Sequence, residues 1–138
     1  MTEHPLAYAT LHIMGDSVRP EFWTRYFGVR PDTAIEKGKP FVTPSGRESR
    51  SPGRVGLWGV QSRGTVESNE LEPHLRYLIK RLNLTRGDLR ATLDRESVQI
   101  RFYCYWRNES GDRVPHVPDD IRAMMEAIGG TVEIDEYR

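Results

Sequence analysis

A single cysteine, Cys104, leaves the chain without an intrachain disulfide and without the paired thiolates of a structural zinc site. Charge of one sign is also missing. Lys plus Arg number 20 and Asp plus Glu number 20, so no net positive field draws the chain to nucleic acid or an anionic membrane. No apolar run approaches membrane-spanning length, and the amino terminus has no basic segment followed by an apolar stretch; a cytoplasmic location without a membrane partner is expected. Hydrophobic residues make up 37 %, below the usual ~45–50 %. That deficit is moderate, and 138 residues suffice for one core, so residues 1–138 are expected to form a single domain.

Signature motifs are equally scarce. His4, His12, His74 and His116 are dispersed and carry no metal-ligand spacing; His74, inside a charged helical segment, and His116 read as exposed or capping residues. Asp119 and Asp120 suit the positive end of a helix, and the many spaced oxygen ligands of a calcium loop are absent. Ser45 and Ser51 lie in loop composition without a nucleophile elbow. Gly56 and Gly59 lack the lysine and following hydroxyl of a phosphate loop, and read as sites of close packing against Trp23 or Trp106. No catalytic residue, metal or cofactor is assigned, and no intrinsic turnover is expected.

What the chain does have is the segment from Val98 to Trp106. Val98, Ile100, Phe102, Cys104 and Trp106 fall on one side at the two-residue period of a strand, and Gln99, Arg101, Tyr103 and Tyr105 on the other. One side is a core face, where Cys104 is expected as a buried, unreactive thiol. The other is aromatic and hydrogen-bonding.

Strands of the same alternation are expected over 6–14, 55–60 and 131–137, with a weak edge strand over 33–37. Pro20 and Gly28 bracket a helix carrying the aromatic stripe Phe22, Trp23, Tyr26 and Phe27. Asn69 and Glu72 form a capping pattern before Leu71, Leu75, Leu78, Ile79 and Leu82, and Thr85 and Asp88 repeat it before Leu89 and Leu93. Pro118 opens a last helix with Ile121, Met124, Met125 and Ile128 on its apolar stripe, stopped by Gly129-Gly130. Residues 38–53, rich in proline and glycine, read as a long loop. The order implies an α+β fold: a two-layer ferredoxin-like sandwich with an additional C-terminal helix and strand. Its core is expected to use Leu11, Ile13, Phe22, Leu57, Leu75, Leu78, Ile100, Phe102, Ile128 and Ile134.

Gly56-Leu57-Trp58, the charged helix from Glu70, Phe102 to Trp106 and the terminal Ile134-Asp135-Glu136-Tyr137 together resemble a bacterial family of small domains of unknown function, DUF4279. The opening Ala9 to Gly15, Pro31 and Thr33 followed by Lys37-Gly38, and Glu67-Ser68 extend the resemblance over nearly the whole chain. It implies a self-contained α/β domain in a bacterial protein, within a protein-interaction or toxin-immunity system. It supplies no catalytic residues.

His12, in strand phase opposite Leu11 and Ile13, shares the polar side with Arg101 and Tyr103. His12, Arg101, Tyr103 and Tyr105 therefore form the candidate binding surface, with Arg47 and Arg50 as adjustable rim contacts. A protein partner or self-association is the first expectation. A small molecule is an alternative, and RNA, with Tyr103 or Tyr105 stacking on bases, is a weaker one because the chain is neutral.

Overall fold

The computed structural model describes residues 4–43 and 45–138. Pro44, inside the expected 38–53 loop, lies outside the described residues. The fold is mixed α+β, with a five-stranded open sheet and four helices among the described residues. In chain order the elements are β1 (Ala7–Gly15), α1 (Pro20–Phe27), β2 (Thr33–Ile35), β3 (Gly56–Gln61), α2 (Leu71–Leu82), α3 (Leu89–Glu96), β4 (Gln99–Arg107), α4 (Asp119–Ala127) and β5 (Thr131–Tyr137).

The sheet runs β2-β3-β1-β4-β5. β1 pairs antiparallel with β3 and with β4, β2 pairs antiparallel with β3, and β5 joins β4 in parallel after the α4 crossover. The central register sets Leu11 beside Phe102 and Val60, and Ile13 beside Ile100 and Trp58. Alternation then puts Ala7, Ala9, Leu11, Ile13, Trp58, Val60, Ile100, Phe102, Cys104 and Trp106 on one buried face.

The helices bury their apolar stripes in that same core: Trp23 and Phe27 from α1, Leu71, Leu75, Leu78 and Leu82 from α2, Leu89 and Leu93 from α3, Ile121 and Met125 from α4. Of the expected core, Leu11, Ile13, Leu75, Leu78, Ile100 and Phe102 are buried, and Phe22, Ile128 and Ile134 pack partly against it. Leu57 is a correction. It stands beside Met14, on the opposite side of β3 from Trp58 and Val60, because a one-residue change of phase exchanges the faces of a strand.

Helix ends follow local chemistry. Pro20 starts α1, and Gly28 ends it with φ 67°, its N–H bonded to the Thr24 carbonyl. Pro73 falls in the first turn of α2, where its missing N–H breaks no helical bond. The expected reciprocal caps are not formed: α2 begins after Glu70, and Glu70 N–H is accepted by Ser68 Oγ at 3.1 Å. Asp88 likewise precedes α3 without a side-chain cap bond.

Between β2 and β3 the chain folds on itself. Lys37 bridges to Gly53, Val42 to Glu48, and Phe41 N–H is accepted by Ser49 Oγ at 3.0 Å. Ile100 is 2 % exposed at the middle of the core, so Ile100→Ala should cost about 2–5 kcal/mol in reversible urea unfolding, whereas exposed Glu67→Ala should stay within about 0.5 kcal/mol. Equal small changes in both variants would contradict this burial pattern.

Candidate functional site

The sheet face opposite the helices is where alternation sends the polar and aromatic side chains. β1 contributes Tyr8, Thr10, His12 and Met14, β4 contributes Gln99, Arg101, Tyr103 and Tyr105, and β5 contributes Glu133, Asp135 and Tyr137. Register aligns them in rows, with His12 beside Arg101, Thr10 beside Tyr103 and Tyr8 beside Tyr105.

Two connected networks fill these rows. In the first, Arg101 Nε donates to His12 Nδ1 at 3.1 Å, and its Nη1 donates to Glu133 at 3.0 Å. The same guanidinium lies over the Tyr103 ring, 4.8 Å from its centre. Because His12 Nδ1 accepts, the neutral ring carries its proton on Nε2. Burial, and then the Arg101 charge, push the imidazole down to about 4, with Glu133 opposing. Gly59 lies beneath this ring: a Cβ there would come within 3.0 Å of His12 Cδ2, so the missing side chain is what admits the imidazole.

The second network is a tyrosine ladder. Tyr8 stacks on Tyr105 with centres 4.7 Å apart, and Tyr105 stacks on Tyr137 at 5.0 Å. The exposed Arg63 closes the row, its guanidinium 5.3 Å from the Tyr8 ring centre. Asp135 Oδ2 accepts both the Tyr103 and Tyr137 hydroxyls, at 2.7 and 2.6 Å. Those bonds lower the Asp135 carboxyl below its ordinary range and push Tyr137 up to about 12. The carboxylate thus fixes two rings at the β5 edge.

His12, Arg101, Tyr103 and Tyr105 are therefore brought together on one face. Arg47 and Arg50 are not brought to them. Both are exposed in the segment joining β2 to β3, which leaves the sheet at the Gly15 end of β1, whereas the ladder stands at the Ala7 end. β2 and β4 are three places apart in the sheet, about 14 Å at the usual strand spacing. Among the described residues neither arginine shares a hydrogen bond, ion pair or ring contact with the other four.

Sequence reading missed Tyr8, Arg63, Glu133, Asp135 and Tyr137. The two-residue alternation carried a signal for four of them, since Tyr8 is in phase with His12, and Glu133, Asp135 and Tyr137 are out of phase with Val132 and Ile134. Arg63 stands beyond β3 and had no such signal. Gly56 and Gly59 are also corrected: a Cβ on Gly56 would meet the Gly15 carbonyl and Val18, not Trp23 or Trp106.

A second polar cluster lies inside the protein. Ser62 Oγ is 2.6 Å from His74 Nδ1, and His74 Nε2 is 2.8 Å from the Ser68 carbonyl. The carbonyl can only accept, so Nε2 carries the proton and Ser62 donates to Nδ1. Ser62 Oγ in turn accepts the Ala9 N–H at 3.0 Å. The exposed or capping role expected for His74 is thus corrected: it is 1 % exposed, and it falls one residue before Leu75 on the apolar stripe of α2. A serine and histidine in hydrogen-bond contact satisfy one requirement of a nucleophile pair, but Ser62 is 0 % exposed, and its hydroxyl is committed to β1 and α2.

Cys104 is buried, and desolvation pushes its thiol up to about 12, which makes it a packing residue. A cleft of about 340 Å³ opens between α1 and β2, lined among others by Arg19, Phe22, Arg25 and Ala34. Ala34 is in phase with the core-facing Trp58, so this cleft is on the helical side of the sheet, apart from the networks above.

Burial lowers His74 as well as His12, with the Ser68 carbonyl opposing the shift at His74. At His12 the unfolded chain binds a proton near pH ~6.5 that the folded chain refuses, so its stabilisation is complete above ~6.5 and is lost as pH falls toward about 4; His74 shifts in the same direction. His12→Gln should therefore flatten the loss of stability between those values, read from urea midpoints at about pH 7 and about pH 4.5. A variant with the wild-type pH slope would contradict a neutral, enclosed His12.

Residues 4–138, essentially the whole chain, match the family model described as Domain of unknown function (DUF4279). No curated protein and no solved structure matches.

Proposed function

We propose, from the premise that the chain belongs to the DUF4279 family, that it is a non-enzymatic binding module whose uncovered sheet face recognises another protein surface. Within this reading the likeness to a ferredoxin-like sandwich is architectural: helices on one face, a polar aromatic sheet on the other. Neutralisation of a toxin is one use such a surface would serve.

The observation that carries the proposal is the double engagement of Tyr105. β1 and β5 flank β4 on opposite sides, so Tyr8 and Tyr137 occupy the two faces of its ring. Tyr103 is contacted by His12 and by the Arg101 guanidinium, which are hydrogen-bonded to each other. Rings whose faces are taken offer edges and hydroxyls to a partner, and they are already ordered before contact. Base stacking on single-stranded RNA instead requires free ring faces. A pre-ordered aromatic surface with directional arginines suits protein recognition, where tyrosine and arginine carry much of the binding energy.

A photo-crosslinking residue at Tyr8 or Tyr105 should capture a protein in cells that make this chain, whereas the same residue at Glu126, exposed on α4, should not. For the captured protein, Tyr8→Ala/Tyr105→Ala should weaken binding by about tenfold or more, beyond the ~1 kcal/mol that marks an energetic centre. Crosslinks to RNA alone, or unchanged affinity in the double variant, would overturn the proposal.

A further inference from the structure

The rows of the open face are ordered in charge as well as in shape. Reading across β3, β1, β4 and β5, the first row is Arg63, Tyr8, Tyr105 and Asp135, with Arg63 one step beyond β3 at the level of Tyr8. The next is Gln61, Thr10, Tyr103 and Glu133, and the third is Gly59, His12, Arg101 and Thr131. Each row has its cationic or donor group toward the β3 side and its acid toward β5, or carries no acid at all. A two-fold axis parallel to the strands, midway between β1 and β4, reverses each row and preserves its level.

Applied to a second molecule laid face to face, that operation sets Arg63 against Asp135, Gln61 against Glu133, Tyr8 against Tyr105 and Thr10 against Tyr103. In the third row Arg101 meets His12, whose ring is neutral because it accepts from the Arg101 of its own chain. No row opposes like charges. The pairing is isologous, as a two-fold interface requires, and aligned packing of two twisted sheets is an established geometry.

We infer that the open sheet face is a self-complementary interface, and that the partner it fits is a second copy of this chain related by a two-fold axis along the strands. This deepens the reading of the face as a protein-recognition surface and rests on it. The four strands that this operation sets over one another, at about 16 Å² of sheet per residue, project to about 500 Å² before side-chain relief is added, against the ~800 Å² each partner gives a standard interface. The charge pairs lie at the margins of the sheet and the tyrosines near the axis, which is the usual division between a polar rim and an aromatic centre.

Sedimentation equilibrium on the intact chain over a wide concentration range tests this. The wild type should dimerise, and Arg63→Glu and Asp135→Lys should each weaken the dimer by about tenfold or more, because each places two like-charge pairs across the interface. An equimolar mixture of the two variants should recover a heterodimer, since it re-forms one Arg63–Asp135 pair and creates one glutamate–lysine pair. Asp135→Lys also removes the acceptor of two tyrosine hydroxyls; one row along, Gln61→Glu sets two glutamate–glutamate pairs across the interface and should weaken the dimer, and mixing it with Glu133→Lys, which faces the neutral Gln61, should restore association of the Gln61→Glu chain.

A monomeric wild type, single reversals that leave the dimer intact, or folded variants that fail to recombine would overturn the inference. If the wild type is monomeric while crosslinks from Tyr8 and Tyr105 still capture a foreign protein, the dimer falls and the recognition surface stands. If neither association appears, both fall.

Discussion

The antiparallel pairing of β1 with β4, in a single register from Ala7 beside Trp106 to Met14 beside Gln99, is the constraint on which the rest of the protein depends. These are the two longest strands, and each alternates between buried apolar and more exposed, mostly polar residues, β1 up to Ile13. A slip of one residue would send Leu11 and Ile13 to the polar side, so the hydrophobic effect holds the register tightly. Holding it also places His12 beside Arg101 and Tyr8 beside Tyr105. The polar face is thus aligned by the burial of the opposite one.

The Ser62–His74 pair shows how a polar group supports this arrangement from inside. Ser62 satisfies the Ala9 N–H just beyond β3, and it ties that backbone to α2 through a histidine held neutral by burial. Every polar atom in the set has a partner of the correct sense. Replacing any one would leave a buried group unpaired, which is costly in a low-dielectric core. Trp58 is treated the same way, its indole N–H donating to Thr24 Oγ1 at 3.0 Å.

On the open face order comes from connection instead of burial. Arg101 is held by Glu133 and by His12, and Asp135 holds two tyrosine hydroxyls, so side chains that are only partly buried have few free rotations. Little side-chain entropy remains to be lost on this face. Gly59 contributes by omission, leaving the space into which the His12 ring settles.

Periodicity in the chain by itself determined the α+β class, the order of the major strands and helices, the burial of Cys104 and the shared face of His12, Arg101, Tyr103 and Tyr105. Those properties are local: a two-residue or 3.6-residue repeat states which side of an element is apolar without reference to any other element. Leu57 was misread because two glycines beside a tryptophan leave the phase of β3 weakly marked. Tertiary structure alone decided that β5 runs parallel to β4, that Asp135 reaches two tyrosines, and that Arg63 caps a stack whose rings come from three strands. It also decided that His74 meets Ser62 inside the core and that, among the described residues, Arg47 and Arg50 enter neither network. These are relations between residues distant in the chain, fixed by strand order and register, and no repeat within one segment encodes which neighbour the sheet will place beside it.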